Sequence, residues 1–471
     1  MLYLLGFTAY EVLVMEQKRS SFTGKIGFIL AAAGSAVGLG NIWRFPYLAA
    51  QYGGGIFLLI YLILAITFGF TLMCAEIALG RKTGQSAIGA FGALSKKHSY
   101  IGLLAALVPI LILPYYSVIG GWVTKYLAVF LTGKMADASV ITDEFNYFAN
   151  FISQPMEPVG WFLLFLGVTS LIVMLGVEKG IEKVSKIMMP VLVILSFGIA
   201  VYTLFLPGAL NGLRYYIIPD FSKFSVKTVI AAMGQLFYSM SLAMGIMITY
   251  GSYMKKDVSI ESSVKSIELF DTGVAFCAGL TIIPAVFSFN PDHINRSGPG
   301  LMFEVLPQVF HNIGTVGGTI IGSLFFLLVL LAALTSSISL METVVSIFQD
   351  KFGWNRKFTS LFVFIISVAL GLPSALGYGI LGDVQIGGMA FLDMFDFISN
   401  SVLMPIVALL TCYFVGYVIK PKSLADEIAG NHKFSRRSMF TVMIKYIAPV
   451  CILLILITSV LSTLGIKQLQ L

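Results

Sequence analysis

Residues 34–61 read GSAVGLGNIWRFPYLAAQYGGGIFLLIY. The first part of this apolar stretch carries three glycines and Asn41 where a membrane-spanning helix would have its middle. Glycine lowers helix stability, and unpaired backbone is tolerated in a bilayer only where it lines a cavity. The stretch therefore predicts a broken helix beside a polar site. The alternative, that Gly34-x-x-x-Gly38 only serves close helix packing, explains the glycines but not Asn41.

The composition indicates that lipid is the main solvent of the chain. Of the 471 residues, 58% are hydrophobic and 11% are charged, and the mean hydropathy is +0.91. A soluble globular domain is usually about 45–50% apolar and about 25% charged, so a soluble enzyme and a disordered chain are both excluded. The cysteines form no CxxC pair, and we expect them to be buried apolar residues rather than disulfides or a zinc site. They are Cys74, Cys277, Cys412 and Cys451.

Apolar runs predict eleven membrane-spanning helices, which we call spans 1–11. The expected ranges are 26–47, 55–79, 101–131, 159–177, 186–206, 227–253, 264–289, 313–348, 358–376, 390–419 and 441–464. With the N-terminus inside, 22 of the 30 Lys and Arg residues fall on the inner face and eight on the outer face. This asymmetry follows the positive-inside rule. The net charge of +7 therefore indicates membrane topology, and we expect no nucleic-acid partner.

A second break is predicted in span 6, where Ser239-Met-Ser-Leu-Ala-Met-Gly245 lies in the middle of the span. Breaks five spans apart are typical of two inverted repeats with a binding site between the paired breaks. The expected organisation begins with a non-native extension at 1–14 and a cytoplasmic N-terminus at 15–25. The first repeat follows at 26–206, then an extracellular loop at 207–226 and the second repeat at 227–419. A cytoplasmic loop at 420–440, span 11 at 441–464 and a C-terminus at 465–471 complete the chain. A short interfacial anchor is the alternative for residues 1–14.

These blocks together resemble the neurotransmitter:sodium symporter family. Besides residues 34–61, the similarity lies in GQLFYSMSLAMG (234–245), ITYGSY (248–253), FDTGVAFCAGLTIIPA (270–285), AALTSSISL (332–340) and KGIEKVSKIMMP (179–190). The resemblance implies an all-α integral membrane protein with the five-plus-five inverted repeat of the leucine-transporter-like fold and broken helices 1 and 6. It also implies sodium-coupled import of an amino acid by alternating access, without covalent chemistry.

Two sodium sites are expected. The adjacent hydroxyls of Thr335 and Ser336 lie in an otherwise apolar span, where they either bond back to their own helix or serve as ion ligands beside a broken helix. The resemblance implies the second role. It assigns the first site to Ala36, Asn41, Ser239 and Asp271, together with the substrate carboxylate. It assigns the second site to Gly34, Val37, Ala332, Thr335 and Ser336.

The substrate site implied by the resemblance lies between the two breaks. Free N–H groups of Leu39 and Gly40, with the Tyr116 hydroxyl, would bind a carboxylate, because helix N-termini attract anions. Relatives that carry monoamines have Asp at the position of Gly38, so this chain is expected to carry an amino acid. The predicted lining is mostly apolar and suits a substrate with a hydrophobic side chain. The full set of expected substrate-binding residues is Ser35, Ala36, Leu39, Gly40, Ile112, Tyr116, Tyr238, Ser239, Ser241, Met244, Ser336 and Leu340.

Gates and a bracing residue also follow from the resemblance. It implies an outer ion pair between Arg44 and Asp396, with Tyr116 and Tyr238 as an aromatic lid. It implies an inner ion pair between Arg19 and Asp350, with Tyr253 and Phe22 nearby. A carboxyl group in mid-membrane is costly unless it is paired or neutral, and the resemblance gives Glu76 the role of bracing the unwound segments.

Chloride independence is expected from Asp271 and Ala275. Chloride-dependent relatives have Asn and Ser at these positions, so a fixed carboxylate here replaces the anion. The expected partners are an amino acid, Na⁺ and membrane lipid, in the cytoplasmic membrane of a prokaryote with the N-terminus inside. The alternatives are a membrane sensor that does not transport and an ion channel. An intramembrane enzyme is disfavoured, because the sequence has no HExxH motif and no convincing Ser/His or paired-Asp arrangement.

Overall fold

A computed structural model of the chain describes residues 21–134, 144–289 and 299–463. Within these ranges the chain is helical, and the only strand-like pairings are two isolated bridges, Gly54 with Pro219 and Ile386 with Met389. The predicted all-α fold class is confirmed. The expected extension at 1–14 and the expected gate residue Arg19 lie outside the described residues.

Nine continuous helices among the described residues are long and apolar enough to cross a membrane. They are Gly55–Thr83, Lys96–Leu131, Glu157–Met174, Val177–Thr203, Ile260–Phe289, Thr315–Phe352, Arg356–Leu376, Phe391–Val418 and Arg437–Leu461, which are spans 2–5 and 7–11. Span 1 is a bent pair, Lys25–Ala36 and Gly40–Gln51, whose halves meet at 53°. Span 6 consists of Val226–Ser239 and Ile246–Ser252. Nine spans and the bent span 1 therefore occur among the described residues as predicted. The chain also breaks at the predicted place in span 6, whose two half-helices are each too short to count as a span by length alone.

Short helices lie between the spans, where the sequence analysis expected only loops. Their lengths, well below the roughly 20 residues needed to cross a bilayer, are the reason that a search for long apolar runs missed them. They are Ala87–Leu94, Glu144–Ser153, Ala209–Ile217, Leu306–Asn312 and Pro421–Ala429. Several spans also begin or bend with a turn of π-helix, including Gly40–Arg44 at the start of the outer half of span 1.

Spans 3 and 8 lie at the centre of the bundle and span 11 lies at its edge. In the most apolar stretch of spans 3 and 8, 72% of the residues are buried within the protein, against 33% in span 11. Leucine and phenylalanine side chains cover the outer helices where lipid would surround them. The central helices are those that carry Tyr116 and Thr335, so the fold places these residues away from lipid.

Span 2 packs very closely on the inner half of span 6 through two glycines. A Cβ atom on Gly80 would lie 1.8 Å from the carbonyl oxygen of Ile248, and one on Gly251 would lie 2.3 Å from that of Ile77. Only glycine allows the two backbones to approach this far, as is common where membrane helices associate. This contact holds Glu76, about one turn before Gly80, beside the break in span 6.

Candidate functional site

The break in span 1 is short and its residues are packed against span 8. The inner half-helix ends at Ala36, and Val37 turns the chain with an extended backbone (φ −73°, ψ 98°). Gly38 follows, and a Cβ atom there would lie 2.6 Å from Ser336 Oγ and 3.2 Å from the Tyr116 hydroxyl oxygen. The glycine therefore lets the unwound backbone reach the polar side chains of spans 3 and 8.

The break in span 6 is longer and more strained. Between Ser239 and Ile246 three residues adopt positive φ: Ser241 at 52°, Ala243 at 59° and Gly245 at 73°. For a residue with a side chain this left-handed conformation costs about 1–2 kcal/mol. The N–H of Ala243 donates to Glu76 Oε1 at 2.7 Å. A carboxyl group from span 2 therefore satisfies backbone that the break leaves without a helical partner.

The two breaks contact one another directly. The Ser241 hydroxyl donates to the carbonyl oxygen of Ser35 at 2.9 Å, and its oxygen lies 3.3 Å from Ser35 Oγ. One segment belongs to the first expected repeat and the other to the second. The polar groups of both breaks therefore face a common space.

That space is a cavity of about 30 Å³. All twelve residues expected to bind substrate line it, and three further residues, Gly38, Asn41 and Ile246, complete the wall. The wall contains no Asp, Glu, Lys, Arg or His side chain. Its apolar side consists of Ile112, Met244, Ile246 and Leu340, and main-chain groups of the two breaks supply much of its polar side.

Main-chain N–H groups and a tyrosine meet at the outer half of span 1. The Tyr116 hydroxyl oxygen accepts from the N–H of Leu39 at 3.4 Å. The N–H groups at the start of this half-helix carry its positive dipole end. The side chain of Tyr238 covers Gly40, where a Cβ atom would lie 2.7 Å from the ring. This end of the cavity is thus suited to an anionic group.

Asp271 is the centre of a buried polar cluster. Its Oδ1 accepts from Asn41 Nδ2 at 2.7 Å and from Ser239 Oγ at 2.8 Å. Asn41 Oδ1 in turn accepts from the N–H of Gly38 at 3.0 Å, and Nδ2 also donates to the carbonyl of Asp271 at 3.1 Å. Asn41 and Ser239, two of the four residues expected at the first sodium site, are therefore both bonded to a third, Asp271. The fourth, Ala36, lines the same cavity as Asn41 and Ser239.

The hydroxyls of span 8 lie beside the carbonyls that the first break exposes. Ser336 Oγ lies 3.4, 3.1 and 3.3 Å from the carbonyl oxygens of Gly34, Ser35 and Val37. Thr335 Oγ1 donates to the carbonyl of Ala332 at 3.1 Å, and a Cβ atom on Gly34 would lie 3.1 Å from Thr335 Cβ. The five residues expected at the second sodium site are thus neighbours. Their oxygens are the hard, uncharged ligands that suit Na⁺ in a broken-helix transporter.

Two site residues were missed by the sequence analysis. The Tyr61 hydroxyl donates to Asp271 Oδ2 at 3.2 Å, and Gln235 Nε2 donates to the carbonyl of Gly40 at 2.8 Å. Both side chains are fully buried. Each is a polar residue within an apolar span, one a tyrosine in span 2 and the other an amide just before the break in span 6. The amide in particular was a signal that could have been used.

The expected outer ion pair is not formed in this structure. Asp396 accepts hydrogen bonds from the Tyr115 hydroxyl at 3.1 Å and from Asn400 Nδ2 at 2.5 Å, while the Arg44 guanidinium lies over the ring of Tyr238 at 5.3 Å. No ion pair joins Arg44 to an acid among the described residues. Their direct pairing therefore stays a prediction for another conformation: here neutral partners from spans 3 and 10 hold the aspartate, and an aromatic ring faces the arginine.

On the inner side, Asp350 Oδ2 accepts from the N–H of Ser86 at 2.7 Å, and its expected partner Arg19 lies outside the described residues. Phe22 is buried and its N–H donates to the carbonyl of Tyr253 at 3.2 Å. The Tyr253 hydroxyl donates to Glu342 Oε1 at 2.8 Å. Glu342, which the sequence analysis did not single out, is fully buried and forms an ion pair with Arg356.

The sequence model of the sodium:neurotransmitter symporter family matches residues 19–148 and 150–470. A relative from Bacillus subtilis, described as an uncharacterized sodium-dependent transporter, is 35% identical over 94% of this chain and 98% of its own length. A relative from Methanocaldococcus jannaschii with the same description is 33% identical over 83% of this chain and 80% of its own.

Among solved structures, MhsT in complex with L-phenylalanine superposes with a TM-score of 0.84 at 38% identity. The match covers 94% of this chain and all of that one. More distant is the sodium- and chloride-dependent taurine transporter of the dog, 27% identical over 87% of this chain and 73% of its own length.

Proposed function

Because this chain belongs to the sodium:neurotransmitter symporter family, as its sequence predicts, we propose that it imports a hydrophobic amino acid together with Na⁺ by alternating access. The chain is a sodium-dependent membrane transporter, and its relatives are transporters rather than enzymes. The finer proposal concerns the substrate, the ion sites and the independence from chloride.

The observation that carries the proposal is a cavity between two broken helices whose wall has no carboxylate and no cationic side chain. A zwitterionic amino acid can be bound there, because its carboxylate meets the N–H groups at Leu39 and Gly40 while its amine meets carbonyls at the end of the opposite half-helix. An amine without a carboxylate would need an acid from the protein. Gly38 supplies none, and its surroundings leave no room for one.

The apolar wall supports a hydrophobic substrate. Ile112, Met244 and Leu340 face the cavity from spans 3, 6 and 8, and the flexible thioether of methionine adapts to side chains of different shape. The superposed transporter MhsT was solved with L-phenylalanine. Aliphatic and aromatic amino acids are therefore the proposed class.

Two Na⁺ ions are proposed as co-transported substrates. The first binds at Ala36, Asn41, Ser239 and Asp271, and the second at the oxygens of Gly34, Val37, Ala332, Thr335 and Ser336. Each positive charge that enters down a potential of 100 mV contributes about 2.3 kcal/mol to uptake. Both ions lie beside the first break and stabilise its unwound form. They therefore favour the conformation of the transport cycle in which this unwound form is present.

Chloride independence is proposed from the surroundings of Asp271. Its carboxylate lies at the first ion site, so it supplies a fixed negative charge there. One turn later, buried Ala275 offers no hydroxyl to an anion. With the carboxylate of the substrate, Asp271 offsets two sodium charges and leaves no requirement for chloride.

The remaining roles are proposed on the same basis. Glu76 braces the second break, Arg44 and Asp396 close the outer side in a state other than this one, and Arg19, Asp350 and Tyr253 close the inner side. The protein lies in the cytoplasmic membrane of a prokaryote with its N-terminus inside, where most Lys and Arg residues are expected.

Reconstituted protein in liposomes tests the proposal. With an inward Na⁺ gradient, the twenty amino acids compete for uptake of radiolabelled phenylalanine, and we expect aliphatic and aromatic ones to compete best. Uptake that persists without Na⁺ would exclude symport, and binding without uptake would identify a sensor. Conductance that does not saturate would identify a channel.

Replacing chloride by gluconate is expected to leave uptake unchanged. Asp271→Asn should lower uptake roughly 100-fold, because losing a charged hydrogen-bonding partner costs up to about 3 kcal/mol. The double variant Asp271→Asn with Ala275→Ser is expected to recover uptake only when chloride is present. Strong chloride dependence of the unmodified protein would contradict the proposal.

A further inference from the structure

We propose that a second site, at the start of span 7, binds the phosphate headgroup of an anionic phospholipid. The site is an open pocket of about 480 Å³ between the first turns of Ile260–Phe289 and the loop that precedes span 11. It is separate from the central cavity, and no residue lines both. The inference does not depend on which solute the protein carries.

The pocket has an excess of positive charge. Lys265 and Lys433 line it, and both are exposed. Lys25 adds a third positive charge, because its Nζ donates to the hydroxyl oxygen of the lining residue Ser262 at 2.7 Å. Lys433 has no ion pair among the described residues, so its ammonium is available for a ligand.

The one acid in the wall, Glu261, is already satisfied. Its Oε1 accepts from Lys265 Nζ at 2.8 Å and from the Ser435 hydroxyl, and its Oε2 accepts from the N–H of Ser435 at 2.9 Å. The carboxylate is buried against these donors. Three lysines and one paired glutamate leave two net positive charges for a phosphate diester.

Hydroxyl groups on the first turns of span 7 complete a phosphate site. Ser259, just before the helix, and Ser262 and Ser266 within it line the pocket. The Ser266 hydroxyl donates to the carbonyl of Ser262 at 3.1 Å, so the hydroxyls of Ser259 and Ser262 are the ones left for a phosphate. Ser262 accepts the bond from Lys25, which leaves its own O–H hydrogen for another acceptor. The positive dipole end of a 30-residue helix lies at the same place, although the N–H of Ser262 already donates to Ser259 Oγ at 3.3 Å.

The surroundings favour a lipid over a free anion. Leu269, one turn after Lys265, lines the same pocket, and 74% of its surface is exposed. The pocket thus extends from a basic, hydroxyl-rich end to an apolar end on the lipid-facing side of span 7. A single lipid molecule would occupy both ends, with its headgroup at Lys265 and Lys433 and its acyl chain beside Leu269. Inorganic phosphate would contact only the polar end. Basic pockets between membrane helices bind anionic headgroups in this way.

The test measures lipid binding to the full-length protein in phosphatidylcholine nanodiscs, without amino-acid substrate. Short-chain phosphatidylglycerol, short-chain phosphatidylcholine and inorganic phosphate are titrated separately, and binding is followed by native mass spectrometry. We expect a saturable site for phosphatidylglycerol only. The double variant Lys265→Gln with Lys433→Gln should weaken it about 30-fold, the factor for two basic residues at about 1 kcal/mol each.

The matched control removes the same charge from exposed lysines elsewhere, with Lys351→Gln and Lys357→Gln. It should bind phosphatidylglycerol like the unmodified protein. Equal weakening by the control pair would show a general surface charge effect and overturn the proposal. Equal binding of phosphatidylcholine, or of inorganic phosphate, would overturn it as well. If the double variant does not fold, Lys433→Gln alone is used, with an expected loss of about fivefold. Failure of amino-acid uptake would leave this result untouched.

Discussion

The two helix breaks meet at one cavity, but they are stabilised in different ways. The break in span 1 has three residues between its half-helices, and neighbours from span 8 and Asn41 hold it. The break in span 6 has six residues, three of them with positive φ, and the carboxyl group of Glu76 in span 2 holds it. The first break is thus supported by neutral groups suited to ions, and the second by a fixed side chain.

This difference indicates which of the two breaks can change its contacts when a ligand binds. The carbonyls of the first break are shared with Ser336 Oγ at 3.1–3.4 Å, so an ion could replace weak, long contacts. The N–H of Ala243 is bound to Glu76 at 2.7 Å, a short bond to a carboxyl group. We therefore expect sodium to order the first break while the second remains braced throughout.

Gly38→Ala should have the largest effect. The added methyl group would lie 2.6 Å from Ser336 Oγ, and overpacking of this kind costs about 1–3 kcal/mol. Sodium-dependent substrate binding should weaken by up to roughly 100-fold, and the unfolding temperature should fall as well, because the strain is present in the folded protein. Gly234→Ala in span 6 is the control, since a Cβ atom there meets nothing within 4 Å. Equal binding by both variants would show that the first break does not need its close approach to span 8.

Glu76→Ala should have an intermediate effect. It leaves the N–H of Ala243 buried without its acceptor, which costs about 1–3 kcal/mol, and we expect a lower unfolding temperature and roughly tenfold weaker substrate binding. Glu76→Gln keeps a carbonyl oxygen for the same N–H, so it should retain most of the thermal stability and most of the substrate affinity. If the glutamine variant is as impaired as the alanine variant, charge rather than the hydrogen bond braces the second break.

Ala243→Gly should have the smallest effect and the opposite sign. Glycine adopts φ 59° without steric strain, so the free energy of unfolding should rise by up to about 1 kcal/mol after the entropy of the more flexible unfolded chain is subtracted. Ala243→Val should lower it, because a β-branched residue is strongly disfavoured at positive φ. Thermal unfolding of the detergent-solubilised variants measures both, and a glycine variant less stable than the parent would contradict the argument.

Much of the cavity wall could be predicted because main-chain groups and small residues dominate it. Gly38, Gly40 and Asn41 mark the first break in the sequence itself, and the resemblance supplied the partners on spans 3, 6 and 8. Tyr61 and Gln235 were missed because a single tyrosine or amide in an apolar span is usually a packing residue. The partner that Arg44 has in this structure was not predicted, because the position of a long arginine side chain depends on competing partners, here the ring of Tyr238.

The sequence by itself determined the membrane environment, most of the spans and the places where two of the helices break. These follow from local hydrophobicity and from glycine, whose effects act within one helix length. Only the tertiary structure decided which distant groups satisfy the unwound backbone: Glu76 for Ala243, Ser336 for the carbonyls of span 1, and Asn41, Ser239 and Tyr61 around Asp271. The physical reason is that a buried polar group must find a partner, and packing of helices far apart in the chain decides which partner is within reach.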